Sequence, residues 1–295
     1  MPERVVLSEK ELRTLQLNEL ELILEVYRVC RLNGIRFSLD GGTLLGAIRH
    51  KGFIPWDDDA DVVFTREEYE KFFEACKRDL NTERYFLQDY RTDPEYRWGY
   101  AKMRLNGTEF VRLGQENMKY RTGVCIDIFV LDNVSDNPLV RKLDYMLLFF
   151  TRKALYSELG KTAAPSAFLR LWYKFLNIIP KDTLFSLRNS IAARNNKKRT
   201  TLTSHYLYQY PERCKYGMPL RCLDSYTETE FEGMSLPIMV GYDEYLTVHY
   251  ADYMTPPPPE KRGSAGEASK IVLLPITLDD IHKRYKEINE HIKEK

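Results

Sequence analysis

Apolar positions recur with a helical period near the start of the chain, where Leu12, Leu15, Leu20, Leu24 and Tyr27 form one stripe. Ser8-Glu9-Lys10-Glu11 ahead of it has the spacing of a capping box, and Asn33-Gly34 behind it supplies a left-handed cap. A helix is predicted between them. Ile35 to Leu39 then reads as a short strand, Gly41-Gly42-Thr43 as the opening of a helical turn ending near His50, and Ala60 to Phe64 as a second strand. Thr65-Arg66-Glu67-Glu68 caps another helix, with Tyr69, Phe72, Phe73 and Cys76 at helical spacing. Strand-like stretches follow at Tyr85 to Gln88, Trp98 to Leu105, Glu109 to Leu113 and Val124 to Leu131.

The pattern changes at Pro138. From there to about Lys198 the chain is helix-rich, apolar and aromatic, and it ends in Lys197-Lys198-Arg199. From Tyr206 it is mixed, with short strands around Thr227 to Ile238, a helix at Tyr242 to Tyr250, a polyproline stretch at Pro256 to Pro259 and a polar helix from Asp279. This order predicts an α+β protein. A mixed-sheet catalytic core would occupy 1–136, a helix-rich insertion 137–205, and a C-terminal segment 206–295 would pack back on the core.

Composition narrows the class. Hydrophobic residues make up 43% and charged residues 29% of the 295, a globular balance. A net charge of +1 does not mark a nucleic-acid binder, so no nucleic-acid partner is expected. Met1 to Glu11 lacks the apolar centre of a signal peptide, and no run approaches the roughly 20 apolar residues of a membrane span. Five scattered cysteines without a C-x-x-C pair suit reduced thiols. A soluble cytoplasmic protein without structural metal is the expectation.

Candidate chemistry concentrates in Trp56-Asp57-Asp58-Asp59-Ala60-Asp61. Four aspartates in five positions repel one another, and a bound divalent cation removes that cost. Strand alternation would put Asp57, Asp59 and Asp61 on one face and Asp58 on the other. Paired hard oxygens suit Mg²⁺. Asp57, Asp59, Asp61 and Glu68 also have the spacing of a calcium loop, but Val62 stands where that loop needs glycine. Upstream, Gly41-Gly42-Thr43 bares backbone N–H groups at a helix N-terminus, a cradle for phosphate. Downstream, Asp127 sits between Ile126 and Ile128 in a predicted strand. It would either ligate metal or pair with Lys102 or Arg104.

The run from Leu39 to Val62, with Asp40-Gly41-Gly42-Thr43 and Trp56-Asp57-Asp58-Asp59-Ala60-Asp61 inside it, resembles the signature of the LicD family. Gly123-Val124-Cys125-Ile126-Asp127-Ile128-Phe129 and Tyr250-Ala251-Asp252-Tyr253-Met254-Thr255-Pro256-Pro257-Pro258 resemble it too, with Ala251 where the family often has glycine. The resemblance implies a nucleotidyltransferase-like fold, a small mixed sheet with packed helices. It also implies a glycine pair (Gly41, Gly42), an Asp-x-Asp (Asp59, Asp61) and a third carboxylate (Asp127). The implied activity transfers a phospho-substituent, typically phosphocholine from CDP-choline, to a sugar hydroxyl of a bacterial surface glycan such as teichoic acid, lipopolysaccharide or capsule. Relatives use CDP-ribitol.

On this reading the acceptor hydroxyl attacks in line and CMP leaves. Two Mg²⁺ or Mn²⁺ ions would be held by Asp59, Asp61 and Asp127, with Asp57 as an additional ligand candidate. Asp127 would complete the second metal site or accept the hydroxyl proton. Gly41, Gly42, Thr43, Arg49, Lys102 and Arg104 are the candidate phosphate contacts, the cations weighed against ordinary salt bridging. Trp56, Tyr96, Trp98 and Tyr100 are candidates for a quaternary-ammonium cage, weighed against core packing. In the helical insertion, Phe149, Phe150, Leu169, Trp172, Phe175 and Leu176 beside Lys153, Lys174, Lys197 and Lys198 form either a peripheral contact with the inner face of the plasma membrane, where a lipid-linked glycan acceptor would be met, or a second small core. Lys261-Arg262 is a phosphate or glycan contact or a plain surface linker. Two other functions share these carboxylates: nucleotidyl transfer to a small hydroxylated acceptor, and non-enzymatic divalent-cation binding.

Overall fold

A computed structural model describes residues 4–208, 210–263 and 268–293. Helix α1 (Glu9–Asn33) starts at the capping box: Ser8 accepts from the Glu11 amide, and the Glu11 carboxylate accepts from Ser8 N–H at 2.9 Å. Gly34, at φ 63°, closes it. The predicted strand after it shortens to β1 (Ser38–Leu39), and α2 (Gly41–His50) follows at once. Next come β2 (Asp61–Thr65) and α3 (Arg66–Asp79), whose N-cap is the expected Thr65. Strands β3 (Tyr85–Gln88), β4 (Ala101–Leu105), β5 (Glu109–Arg112) and β6 (Cys125–Val134) then alternate with loops.

The central sheet runs β1-β2-β6-β4-β3. Only β2 and β6 are parallel; β1–β2, β4–β6 and β3–β4 are antiparallel. Its fully buried face carries Val62, Phe64, Ile126, Ile128 and Met103, on the side where α1 and α3 contact the sheet. The other face carries Asp61, Asp127, Lys102 and Phe129, because strand alternation sends successive side chains to opposite sides. The mixed α/β sheet with packed helices therefore forms as expected.

Helices α4 (Pro138–Leu155), α5 (Ser157–Ala163), α6 (Ala167–Leu176) and α7 (Lys181–Asn195) make up the helix-rich region. They enclose a second apolar core of Leu148, Leu155, Leu176, Leu184, Phe185 and Ile191. Tyr90, stacked on Phe185 at 4.3 Å, joins it to the sheet. The C-terminal third adds β7 (Leu202–Ser204) and β8 (Met218–Pro219), the hairpin β9 (Tyr226–Phe231) and β10 (Met234–Met239), α8 (Tyr242–Tyr250), β11 (Ala268–Val272) and α9 (Leu278–Lys293). Strand β7 extends the far end of β6, β11 pairs with β5, and α9 packs on α1. The five cysteines are free thiols.

Candidate active site

Sheet register assembles the site. Asp61 and Asp127 are direct neighbours across the parallel β2–β6 pair, and Lys102 faces Asp127 across β4–β6. On the other flank the Asp40 amide donates to the Asp61 carbonyl at 3.0 Å, extending the row beyond β1. Asp40, Asp61, Asp127 and Lys102 thus lie side by side across the edge where β2 begins. Lys102 Nζ donates to Asp127, and both side chains are largely buried. Burial lowers the Lys102 pKa, but Asp127 outweighs it and the ammonium is held charged.

The acidic loop departs from the strand geometry expected of it. Residues 57–60 precede β2 and are pinned to α1, because Gln16 Nε2 donates to the carbonyls of Asp57 (3.0 Å) and Ile54 (3.3 Å). Asp58 is consequently buried rather than turned away, and one carboxylate oxygen from each of Asp57, Asp58 and Asp59 lies within 4.8 Å of the others. Crowding shows in the acidities. Burial, then Asp59 and Asp58, push Asp57 up to about 8. Burial and then Asp59 and Asp127 raise Asp61, and burial with Asp127 and Asp58 raises Asp59.

The glycine pair has a second purpose beyond baring amides. A Cβ on Gly41 would lie 2.8 Å from Asp61 Oδ2, and one on Gly42 2.7 Å from Asp57 Oδ2, so only glycine lets these carboxylates rest against the first turn of α2. Gly41 also holds φ +50°. Asp40, the N-cap of α2, makes no capping bond. Its carboxylate accepts from the Tyr245 hydroxyl and pairs with His205 Nε2 at 3.4 Å, which leaves the N-terminal amides of α2 uncapped by it. Thr43 is not an open phosphate contact: it is buried, and its hydroxyl accepts from the Asp61 amide at 2.8 Å, fixing the start of β2.

The expected cations separate. Lys102 lines a cavity of 110 Å³ with Trp98, Tyr100, Arg104 and Arg112. Arg104 forms its wall but is committed, donating to Gln88 Oε1 (2.5 Å) and the Gly123 carbonyl (2.7 Å). Arg49 lies on the Asp57 side and donates to the Tyr253 carbonyl at 2.7 Å. The four aromatics proposed as a cage do not all converge, although Trp98 and Tyr100 share the cavity of Lys102. Trp56 meets His50 and the Arg262 guanidinium (4.7 Å), Tyr96 is buried against Tyr120, and Trp98 leans on Tyr156. The Arg262 contact gives the Lys261-Arg262 pair a place beside Trp56.

Several residues were missed. Arg112 on β5 is a second cation beside Asp127, whose charge outweighs the burial that would lower its pKa. Tyr208 and Tyr250 are exposed rings beside the carboxylates, and burial with Asp61 and Asp40 pushes the Tyr208 hydroxyl up to about 12. The Tyr250 hydroxyl lies 3.7 Å from the position a Gly41 Cβ would take. Glu19 on α1 is buried, its Oε2 without a hydrogen-bond partner, and burial and then Asp59 raise its pKa far above the usual carboxylate range. Of these, only Tyr250 carried a sequence signal, inside a family-like segment.

Residues 34–146, which contain both glycines and all the clustered aspartates, match the family described as LicD/FKTN/FKRP, nucleotidyltransferase domain. The lipopolysaccharide cholinephosphotransferase LicD of Haemophilus influenzae is 30% identical over 266 residues, covering 84% of this chain and 93% of that protein. The chain belongs to the LicD phosphotransferase family. Shorter stretches of this LicD-family chain resemble uncharacterised proteins of Rickettsia typhi (33% over 70 residues, 22% of this chain and 23% of that protein) and Rickettsia prowazekii (40% over 48 residues, 16% and 18%).

Proposed function

We propose that this LicD-family enzyme transfers a substituted phosphate, phosphocholine foremost, from a CDP-linked donor to a sugar hydroxyl of a lipopolysaccharide-type surface glycan. The observation that carries it is the row of Asp61, Asp127 and Lys102 beside Asp59 and the glycine-walled N-terminus of α2. The donor set is all hard carboxylate oxygen, and its raised pKa values mark a cluster in want of a counter-charge. It therefore fits Mg²⁺ or Mn²⁺, held by Asp59, Asp61 and Asp127 with Asp57 beside them. Such ions, two in the reading favoured here, would neutralise the donor diphosphate and the charge that develops on it.

The protein's own groups supply the rest. Uncapped α2 amides and the Lys102–Arg112 cavity offer positive potential on two sides of the donor phosphates. Asp127 sits between the other carboxylates and Lys102, where it either completes the ligand set or takes the acceptor proton. Tyr208 and Tyr250 bring aromatic rings near negative charge, the surroundings that favour a quaternary ammonium. The H. influenzae relative's name, with its choline phosphate and lipopolysaccharide, supports this donor and acceptor.

The test is a screen of CDP-linked donors scored by release of CMP, with and without Mg²⁺ or Mn²⁺ and glycan acceptor. Asp59→Asn and Asp61→Asn should each lower turnover by about a thousandfold or more while leaving the fold intact. Release of the substituent phosphate, phosphocholine from CDP-choline, with transfer of CMP to the acceptor would replace this reading with nucleotidyl transfer. Unchanged CMP release from the double variant would reject the carboxylate assignment.

A further inference from the structure

Helices α4 and α6 turn apolar side chains in two opposite directions. Their inward positions, Leu148, Leu155 and Leu176, fill the second core. Their outward positions are apolar as well. On α4, Leu139, Leu143, Met146 and Phe150 recur at steps of four, three and four, which makes one stripe, and all are exposed. On α6, Phe168, Leu171, Trp172 and Phe175, at steps of three, one and three, share one helix face as well, and Phe168, Leu171 and Phe175 are 76%, 66% and 63% exposed. A helix whose outward stripe is as greasy as its inward one has a partner to meet, since monomers rarely leave large apolar patches in water. Among the described residues no helix is long and apolar enough to cross a membrane, so these stripes are not spans.

Charge selects the occupant. Between residues 139 and 178 there are seven basic residues against two acidic ones. Both acids are spent internally, Asp144 on Arg194 at 2.5 Å and Glu158 on Lys161 at 2.8 Å. Lys142 on α4 and Lys174 on α6 are exposed within the apolar sequence, and Arg152 and Lys153 end α4. A second copy of this chain would face these cations with identical cations across a two-fold axis. An anionic bilayer would meet apolar side chains with its acyl region and basic ones with its headgroups.

We propose that the outward face of α4 and α6 docks the enzyme on the surface of an anionic lipid bilayer. The face leads toward the active site. Arg152, Lys153 and Tyr156 line a cavity of 230 Å³ with Trp98 and Tyr100, and those two aromatics also line the cavity that holds Lys102 and Arg112. A lipid-borne acceptor would therefore be held beside the carboxylates. The docking itself does not rest on the transfer reading, so either can fail alone.

Flotation of the full chain with vesicles separates the outcomes. Vesicles of about one third phosphatidylglycerol should bind the chain about tenfold or more tighter than pure phosphatidylcholine, and high salt should weaken that binding. The triple substitution Phe168→Glu, Leu171→Glu, Phe175→Glu should abolish flotation, and Lys142→Glu with Lys174→Glu should weaken it about tenfold. Circular dichroism and melting temperature serve to check that both remain folded. Asp59→Asn should float like the parent whether or not it turns over donor. Three results would overturn the proposal. One is failure of the parent to prefer anionic vesicles. Another is folded variants that float unchanged. The third is a sedimentation dimer that the triple substitution dissolves without any vesicle binding by the parent, which would assign the face to a second copy.

Discussion

Replacing Asp57 by asparagine should stabilise the metal-free protein at neutral pH and do little for it in acid. Asp57 lies half-buried against Gly42 and beside Asp58 and Asp59, and burial with those neighbours pushes its pKa from 3.8 to about 8. Between those values the unfolded chain has lost a proton that the folded chain keeps. Stability therefore falls as pH rises from about 4 to about 8, the reverse of an ordinary salt-bridged carboxylate. A shift of some four pH units at 1.36 kcal/mol each sets a ceiling of about 5 kcal/mol. Asp57, Asp59 and Asp61 titrate together, so the ceiling belongs to the cluster, and Asp57→Asn should recover about 2 kcal/mol of it.

The assay is urea unfolding of parent and variant at pH 5 and pH 8 in chelator. Their difference cancels groups common to both, including His249, whose pKa burial lowers and which works against stability on the acid side. The variant's advantage should grow by about 2 kcal/mol from pH 5 to pH 8. Adding Mg²⁺ or Mn²⁺ at pH 8 should then restore the parent by about 2.7 kcal/mol at a hundred times its dissociation constant, and the variant by less. A parent-to-variant difference that is the same at both pH values would refute the electrostatic account of the cluster.

Three further outcomes follow from single contacts. Gly42→Ala puts a methyl 2.7 Å from Asp57 Oδ2 and should cut turnover by about tenfold or more, with a melting temperature within a few degrees of the parent; undiminished CMP release would show that the glycine is only a turn. Ala251→Gly relieves a non-glycine residue at φ 63° and ψ −116°, and should gain about 1 kcal/mol, read as a rise of about 2 °C in the melting temperature. Lys102→Gln leaves Asp127 without its ammonium partner and should cost about 3 kcal/mol in chelator, the loss shrinking when divalent ion is added. An equal loss with and without ion would separate Asp127 from the metal.

The local elements were legible because their signals are local. Ser8 and Glu11, Gly34 and Thr65 each act within four residues of themselves, and each does in the fold what its spacing predicts. The acidic loop shows where such reasoning stops. Alternation holds only where a neighbouring strand enforces the pleat, and Asp57 is bonded instead to Gln16 on α1, with Asp58 buried beside it. Nothing in the loop's own sequence reveals Gln16. The extra strand β11 and the cation Arg112 on β5 are one case of the same kind, because the two strands find each other across more than a hundred and fifty residues.

The missed residues also explain why the site needs a protein of this size. Asp40, Asp57, Asp58, Asp59, Asp61 and Asp127 concentrate negative charge at one sheet edge, and a short peptide could not hold them together. The fold answers from two directions. His205 and Tyr245, brought by the C-terminal third, hold Asp40 and keep its pKa below the usual value despite its burial. Lys102 and Arg112 flank Asp127 from the opposite side. Between these two anchored ends, Asp57, Asp59 and Asp61 remain the carboxylates whose charge no cation among the described residues fully meets, as their raised pKa values record. On the proposed reading a divalent ion would take its place there, bounded on one side by Asp40 and held on the other by Asp127.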